Sequence, residues 1–247
     1  MPRFYLLLLT ALLGAATASA QPTFRLGLRG GLNCASSTVE PSSTSPSSAY
    51  YYSTSKSGIY AWQAGAVLEV AFRRFALQPA LIFSQKGEQF DAATTIIGFA
   101  GVNSTETSTV NRYNWLELPV NVVYTLHNFQ LFAGPYVALG VGGRQHGTLL
   151  SASSVTPGNT YGPYDFAAKV RYGSDTENRR LDAGVNFGVG YRQGPLQLQL
   201  GYGLGLRNLH QDPFEGLISE QPYYHNFNAD RAYNRVAQLT ATYFFDL

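Results

Sequence analysis

Residues Leu181–Leu209 read LDAGVNFGVGYRQGPLQLQLGYGLGLRNL, and on both sides of Gln193-Gly194-Pro195 they alternate with a period of two. Leu181, Ala183, Val185, Phe187, Val189 and Tyr191 share one face; Asp182, Gly184, Asn186, Gly188, Gly190 and Arg192 share the other. After the turn, Leu196, Leu198, Leu200, Tyr202, Leu204 and Leu206 oppose Gln197, Gln199, Gly201, Gly203, Gly205 and Arg207. Side chains on a pleated strand point alternately to its two faces, so the stretch is a hairpin. Its chemistry narrows the fold further. One face is unbroken apolar surface, whereas the other mixes glycine with Gln, Asn, Asp and Arg. Glycine weakens a strand interior, and a water-facing strand would carry Thr, Lys or Glu instead. Small and polar residues inside a narrow closed sheet, with large apolar residues outside, make a transmembrane β-hairpin.

The same alternation recurs along the chain. Strands are expected at Phe24–Asn33, Tyr60–Val70, Phe75–Lys86, Tyr113–Tyr124, Phe129–Gly142, on both arms of the hairpin, and over Arg235–Leu247. Pro79 lies within the third of these and removes a ladder donor, so a bulge is expected there. Polar stretches at Cys34–Gly58 (rich in Ser, Thr, Pro and Tyr), Gly87–Asn111, Gly143–Asn178 and His210–Asp230 are expected as long loops. They follow the odd-numbered strands, and tight turns follow strands two, four and six. The expected fold is all-β: an eight-stranded antiparallel up-and-down transmembrane barrel with four long outer loops and short periplasmic turns.

Only 13 % of the 247 residues are charged and 14 % are aromatic, which suits a membrane wall more than a soluble surface. The net charge of +2 gives no reason to expect a nucleic-acid partner. Residues Met1–Ala20 carry Arg3, an apolar run and Ala18-Ser19-Ala20, the pattern of a cleaved signal peptide. The barrel domain is then expected over 21–247. The single Cys34 excludes an internal disulfide framework.

Five segments also resemble the PorT-like outer-membrane β-barrel family: Leu77–Gly87, Leu116–Tyr124, Leu131–Gly140, Leu181–Tyr191 and Leu200–Leu209. The resemblance implies a place in a bacterial outer membrane; its namesake assists protein secretion.

Phase places a polar network in the lumen: Arg25, Glu69, Lys86, Glu117, Asp182, Asn186 and Arg207, with Arg25 beside Glu69 and Asp182 beside Arg207. A barrel this small fills its interior with side chains, so these are expected as internal struts. Tyr60, Trp62 and Phe83 form an outer aromatic girdle; Phe72, Phe75, Tyr124, Phe129, Tyr191, Tyr243 and Phe245 form one near the turns. Trp115 falls on the inner face by phase, which a preceding bulge would undo. The terminal Tyr243, Phe245 and Leu247 suit the strand pattern that barrel-insertion machinery recognises.

No spacing of His127, His146, His210 and His225 suggests metal ligation, and no cofactor is expected. The leading expectation is a non-enzymatic barrel whose partners are outer-membrane lipids, the insertion machinery, and a surface or secretion-system protein. One alternative is a rim enzyme acting on lipid, which requires a loop histidine beside a Ser and an acid. The other is a soluble lipocalin-like barrel, which requires the Leu-rich faces to point inward.

Overall fold

A computed structural model describes residues 22–39, 50–99, 101–154, 160–173, 178–209 and 232–246. Met1–Ala20 and the expected loop His210–Asp230 lie outside the described residues. The strands are β1 (Thr23–Val39), β2 (Tyr50–Phe72), β3 (Phe75–Gly98), β4 (Gly101–Leu126), β5 (Phe129–Ser153), β6 (Thr160–Lys169), β7 (Leu181–Gln193), β8 (Leu196–Gly205) and β9 (Ala232–Asp246). Every pairing is antiparallel, and eight strands close in the order β4-β3-β2-β1-β9-β8-β7-β5 and back to β4. Closure leaves no free edge in the ring, which hydrocarbon requires because an unpaired backbone group has no partner there.

Alternation sets the two surfaces of the ring. Leu28, Leu32, Leu131, Val189, Leu198, Leu200 and Leu239 are exposed on the outside. Gln63, Glu69, Gln78, Lys86, Glu117, Asp182 and Gln197 are buried inside. The Leu-rich faces therefore point out, opposite to what a lipocalin-like interior needs. Outward aromatics gather at both ends of this apolar band. Phe75 packs on Tyr124 (ring centroids 5.0 Å), Phe129 on Tyr191 (5.5 Å) and Tyr243 on Phe245 (5.1 Å) near the turns. Trp62 packs on Phe83 (5.4 Å) at the other end, beside the exposed Tyr60.

Two expectations from the sequence need correction. First, Gly87–Asn111 is not a loop: β3 and β4 stay paired in one continuous register from Phe75↔Tyr124 to Gly98↔Gly101. Ser and Thr suit a strand as well as a loop when both faces meet water, so polarity alone misplaced the boundary. The other polar stretches behave similarly where described. β1 continues to Val39, β2 starts at Tyr50, and β5 continues to Ser153 to pair with β6, a strand outside the ring of eight.

Second, Pro79 causes no bulge; its register with Val120 is continuous on either side. The irregularity in β2–β3 falls between Gly58 and Gln63 instead. Trp115 lies inside at 2 % exposure, on the face that its phase gives. The register shift there leaves the unpaired residue in β5: Asn114 faces Gly142 and Trp115 faces Gly140, with Val141 between.

The rim is uneven. β1 parts from β2 above Ala35↔Ile59, and β7 begins only at Leu181. Beyond the apolar band, β2–β3–β4–β5–β6 rise together as a five-stranded sheet. Gly87–Gly98 alone extends about 40 Å along its strand, at ~3.3 Å per residue. A polar staple joins β1 to this sheet: Lys56 Nζ lies 3.2 Å from Glu88 Oε2 and donates to Ser37 Oγ (3.3 Å), and Ser37 also donates to Glu88.

Candidate functional site: the filled lumen and the tall rim

The lumen holds three polar layers. Nearest the turns, the β1–β2 register sets Arg25 directly opposite Glu69, and the β1–β9 register sets it opposite Asp246. Both inner-face neighbours are carboxylates, and Arg25 bonds each: Nη1 to Glu69 Oε1 (3.2 Å) and Nε to Asp246 Oδ1 (2.9 Å). Glu69 also accepts from Arg192 Nη1 at both oxygens (2.8 and 2.7 Å) and from Gln78 Nε2 (2.8 Å). A buried carboxylate loses the solvation of its charge, and four donated hydrogen bonds from three side chains replace it. The period-two pattern put Arg192 on the inner face. Its pairing with Glu69 was not readable, because β7 and β2 meet only across the lumen.

In the middle layer Arg29 Nε donates to Thr242 Oγ1 and Nη2 to Gln199 Oε1, both at 2.9 Å. Arg29, Gln63, Asn121, Asn186, Gln199 and Gln238 line a polar cavity with about 10 Å³ open to the centre of a water molecule. That is room for about one water. Phe132 fills the space beside it. A Cβ at Gly188 or Gly201 would sit 2.8 Å from its ring, so glycine lets the wall close over it.

The upper layer is built on Lys86. Its Nζ lies 2.8 Å from Glu117 Oε1, 4.0 Å from Asp182 Oδ2 and 4.7 Å from the centre of the Tyr136 ring. Asp182 Oδ2 further accepts from Tyr136 Oη (3.0 Å) and Asn234 Nδ2 (2.7 Å). Above these groups Trp115 packs with Tyr136, Ala138, Leu209 and Ala232. Tyr172, from the segment between β6 and β7, lays its ring 5.4 Å from that of Trp115. Gly140 makes room for it, since a Cβ there would lie 2.6 Å from the Tyr172 ring. Burial, and secondarily the Asp182 carboxylate, raise the Tyr172 phenol above its ordinary range, so it stays a neutral cap. Sequence reasoning missed Tyr172 because its stretch has no periodicity to read.

Arg25, Glu69, Lys86, Glu117, Asp182 and Asn186 thus lie inside the ring. Arg207 does not, and its expected pairing with Asp182 is not formed. The β7–β8 ladder ends at Gly184↔Gly205, so period two no longer fixes the direction of Arg207, which is exposed. The chain turns in only at Leu209, whose backbone N donates to Ala232 O (2.9 Å).

Two histidines can be placed. His127 sits exposed in the β4–β5 turn at φ 57°, and His146 stands exposed on the outer face of the rim. Neither hydrogen-bonds to a Ser or an acid among the described residues, although the register sets Ser108 and Asp165 one pair away from His146 on its face. His210 and His225 lie outside the described residues.

The arrangement can therefore do two things physically. The lumen resists passage, because side chains fill it, its carboxylates Glu69, Glu117 and Asp182 each have a cation within 4.0 Å, and the cavity beside Arg29 is of water size. The rim offers surface. The hairpin tip exposes Ile96, Ile97, Phe99 and Val102, with Ile96 on the lumen-side face and Ile97 and Val102 on the outer one.

Comparison with known proteins places this architecture. Residues 17–211 match the model of the outer membrane protein beta-barrel domain. No curated protein matches the chain. Among solved structures, Neisserial surface protein A aligns at 8 % identity and a TM-score of 0.33, covering 89 % of this chain and 97 % of its own. The outer membrane protein OprG from Pseudomonas aeruginosa aligns at 10 % and 0.28, covering 92 % and 99 %. An outer membrane channel from Pseudomonas putida F1 aligns at 10 % and 0.27, covering 92 % and 97 %.

Proposed function

The chain belongs to the outer-membrane protein β-barrel domain family, and from that premise we propose a non-enzymatic scaffold that presents its tall rim to a protein partner. In this reading Met1–Ala20 is removed on export, the insertion machinery recognises β9, and the turns lie in the periplasm. The partner is a surface protein or a component of a secretion assembly, in line with the PorT-like resemblance.

One observation carries the reading: the same β-ladder whose lower half encloses the filled lumen continues far beyond the apolar band as a paired sheet ending in exposed apolar residues. A transport role has no use for so long a rim over so closed a lumen. Presentation does, because a rigid sheet holds a recognition surface at fixed height with little ordering entropy left to lose on binding.

The test has two arms. In planar bilayers the purified barrel is expected to show no stable large conductance; a steady large-pore current would sink the scaffold reading. In intact outer membranes, cross-linking followed by purification is expected to recover a partner with the wild-type chain and to lose it with Ile97→Ser/Phe99→Ser. Equal recovery from both would remove the rim from the proposal.

A further inference from the structure

The lipid-facing wall is not uniform. A groove of about 490 Å³ crosses it near the turn end, lined mainly by Tyr124, Leu126, Leu131, Val189, Leu198 and Leu200. Its floor passes the backbone of Gly190, between the outward side chains of Val189 and Tyr191. The volume is that of a small-molecule site, ~300–1,000 Å³, and the lining is almost wholly apolar.

Among the described residues, the exposed charges without an ion-pair partner in the adjoining β2–β3 turn are both positive. Thr125, flanked by the groove residues Tyr124 and Leu126, donates its backbone N–H to Arg74 O (2.7 Å) in the β2–β3 turn. Arg73 and Arg74 are exposed, and neither has a carboxylate partner among the described residues. The carboxylates at this end, Glu69 and Asp246, are held by Arg25 and Arg192. An apolar groove whose edge at Tyr124 and Leu126 adjoins the turn that carries two exposed arginines matches a molecule with a hydrocarbon tail and an anionic head. Guanidinium suits phosphate in particular, through paired N–H donors of fixed geometry.

We propose that this groove is a binding site for one anionic phospholipid, with an acyl chain along Leu131, Val189 and Leu200 and the phosphate on Arg73 and Arg74. The proposal rests on the membrane-barrel reading above, with the turns in a phospholipid leaflet. It adds that one lipid is selected, where the rest of the wall takes lipid without preference.

The experiment uses the full folded chain in a neutral detergent, with dioleoyl-phosphatidylglycerol and dioleoyl-phosphatidylcholine at equal concentration, and counts retained lipid by native mass spectrometry. Phosphatidylglycerol is expected to be retained in preference, by about fivefold per arginine. Arg73→Gln/Arg74→Gln, at an exposed turn, is expected to bring it down to the phosphatidylcholine level. Val189→Phe, which fills the groove from the lipid side, is expected to lose both lipids. Equal retention of the two lipids by the wild type would overturn the proposal, as would an arginine double variant that keeps the preference. So would a Val189→Phe chain that is folded, by its heat-dependent electrophoretic shift, and holds lipid as the wild type does. A mature chain soluble without detergent would instead overturn the membrane-barrel reading itself.

Discussion

The two halves of the β3–β4 ladder share one register and differ in everything else. From Phe75↔Tyr124 to Lys86↔Tyr113, outward positions carry Leu77, Leu81, Leu116, Leu118 and Val122, and inward ones carry Gln78, Lys86, Glu117 and Asn121. From Gly87↔Arg112 to Gly98↔Gly101 the contrast fades, and Ser and Thr occupy both faces until the apolar tip. The backbone does not distinguish the halves, because its hydrogen bonds are the same in both. The outer face alone records the solvent. In the lower half it must be hydrocarbon-compatible and the inner face must satisfy itself; in the upper half the first demand lapses, and the second persists only at its base, where Glu88 and Thr109 are buried.

That contrast can be broken. The largest effect is expected inside the lower half, where Lys86→Met leaves Glu117 and Asp182 facing each other without a cation. Removing one partner of a buried ionic cluster costs ~3–5 kcal/mol. Urea unfolding of the barrel in lipid vesicles checks it, and a loss under ~1 kcal/mol would mean that water reaches these carboxylates.

On the outside of the wall, Leu200→Arg is expected to destabilise by ~2–4 kcal/mol, the depth-dependent penalty for a cation facing lipid. The matched change on the rim, Thr148→Arg at an exposed outer-face position, is expected to stay within ~0.5 kcal/mol. Similar values for the two would erase the distinction between the halves. The smallest effect is expected for Arg207→Ala, within ~0.5 kcal/mol, since the exposed side chain supports nothing in the lumen. A loss of several kcal/mol in the same unfolding assay would restore the Asp182–Arg207 pairing that the structure does not form.

How much of this was legible differs by region. The inner and outer faces of Leu181–Leu204 could be read residue by residue, because an unbroken strand permits one phase. Where strands ended, the same reading failed. Arg207 lies two residues beyond the last paired residue of β8, and phase carried past a strand end has no physical basis. The rim failed for the opposite reason. Ser/Thr-rich strands wet on both faces show little period-two contrast in hydrophobicity, so β3 and β4 beyond Gly87 looked like loop. Neighbour contacts such as Arg25–Glu69 follow from an antiparallel pair and its turn. Contacts across the ring, such as Arg192–Glu69, and the Tyr172 cap depend on strands that never share a ladder.

By itself, then, the sequence determined that this chain makes strands, which face of each meets lipid, and that those strands close into an outer-membrane type of barrel. Those are local facts, encoded every second residue by a one-dimensional pattern. Only the tertiary structure decided how the lumen is neutralised, what caps its mouth, how far the rim rises and where the wall is grooved. Each of these is set by groups brought together through closure of the ring, and closure is a property of the whole sheet.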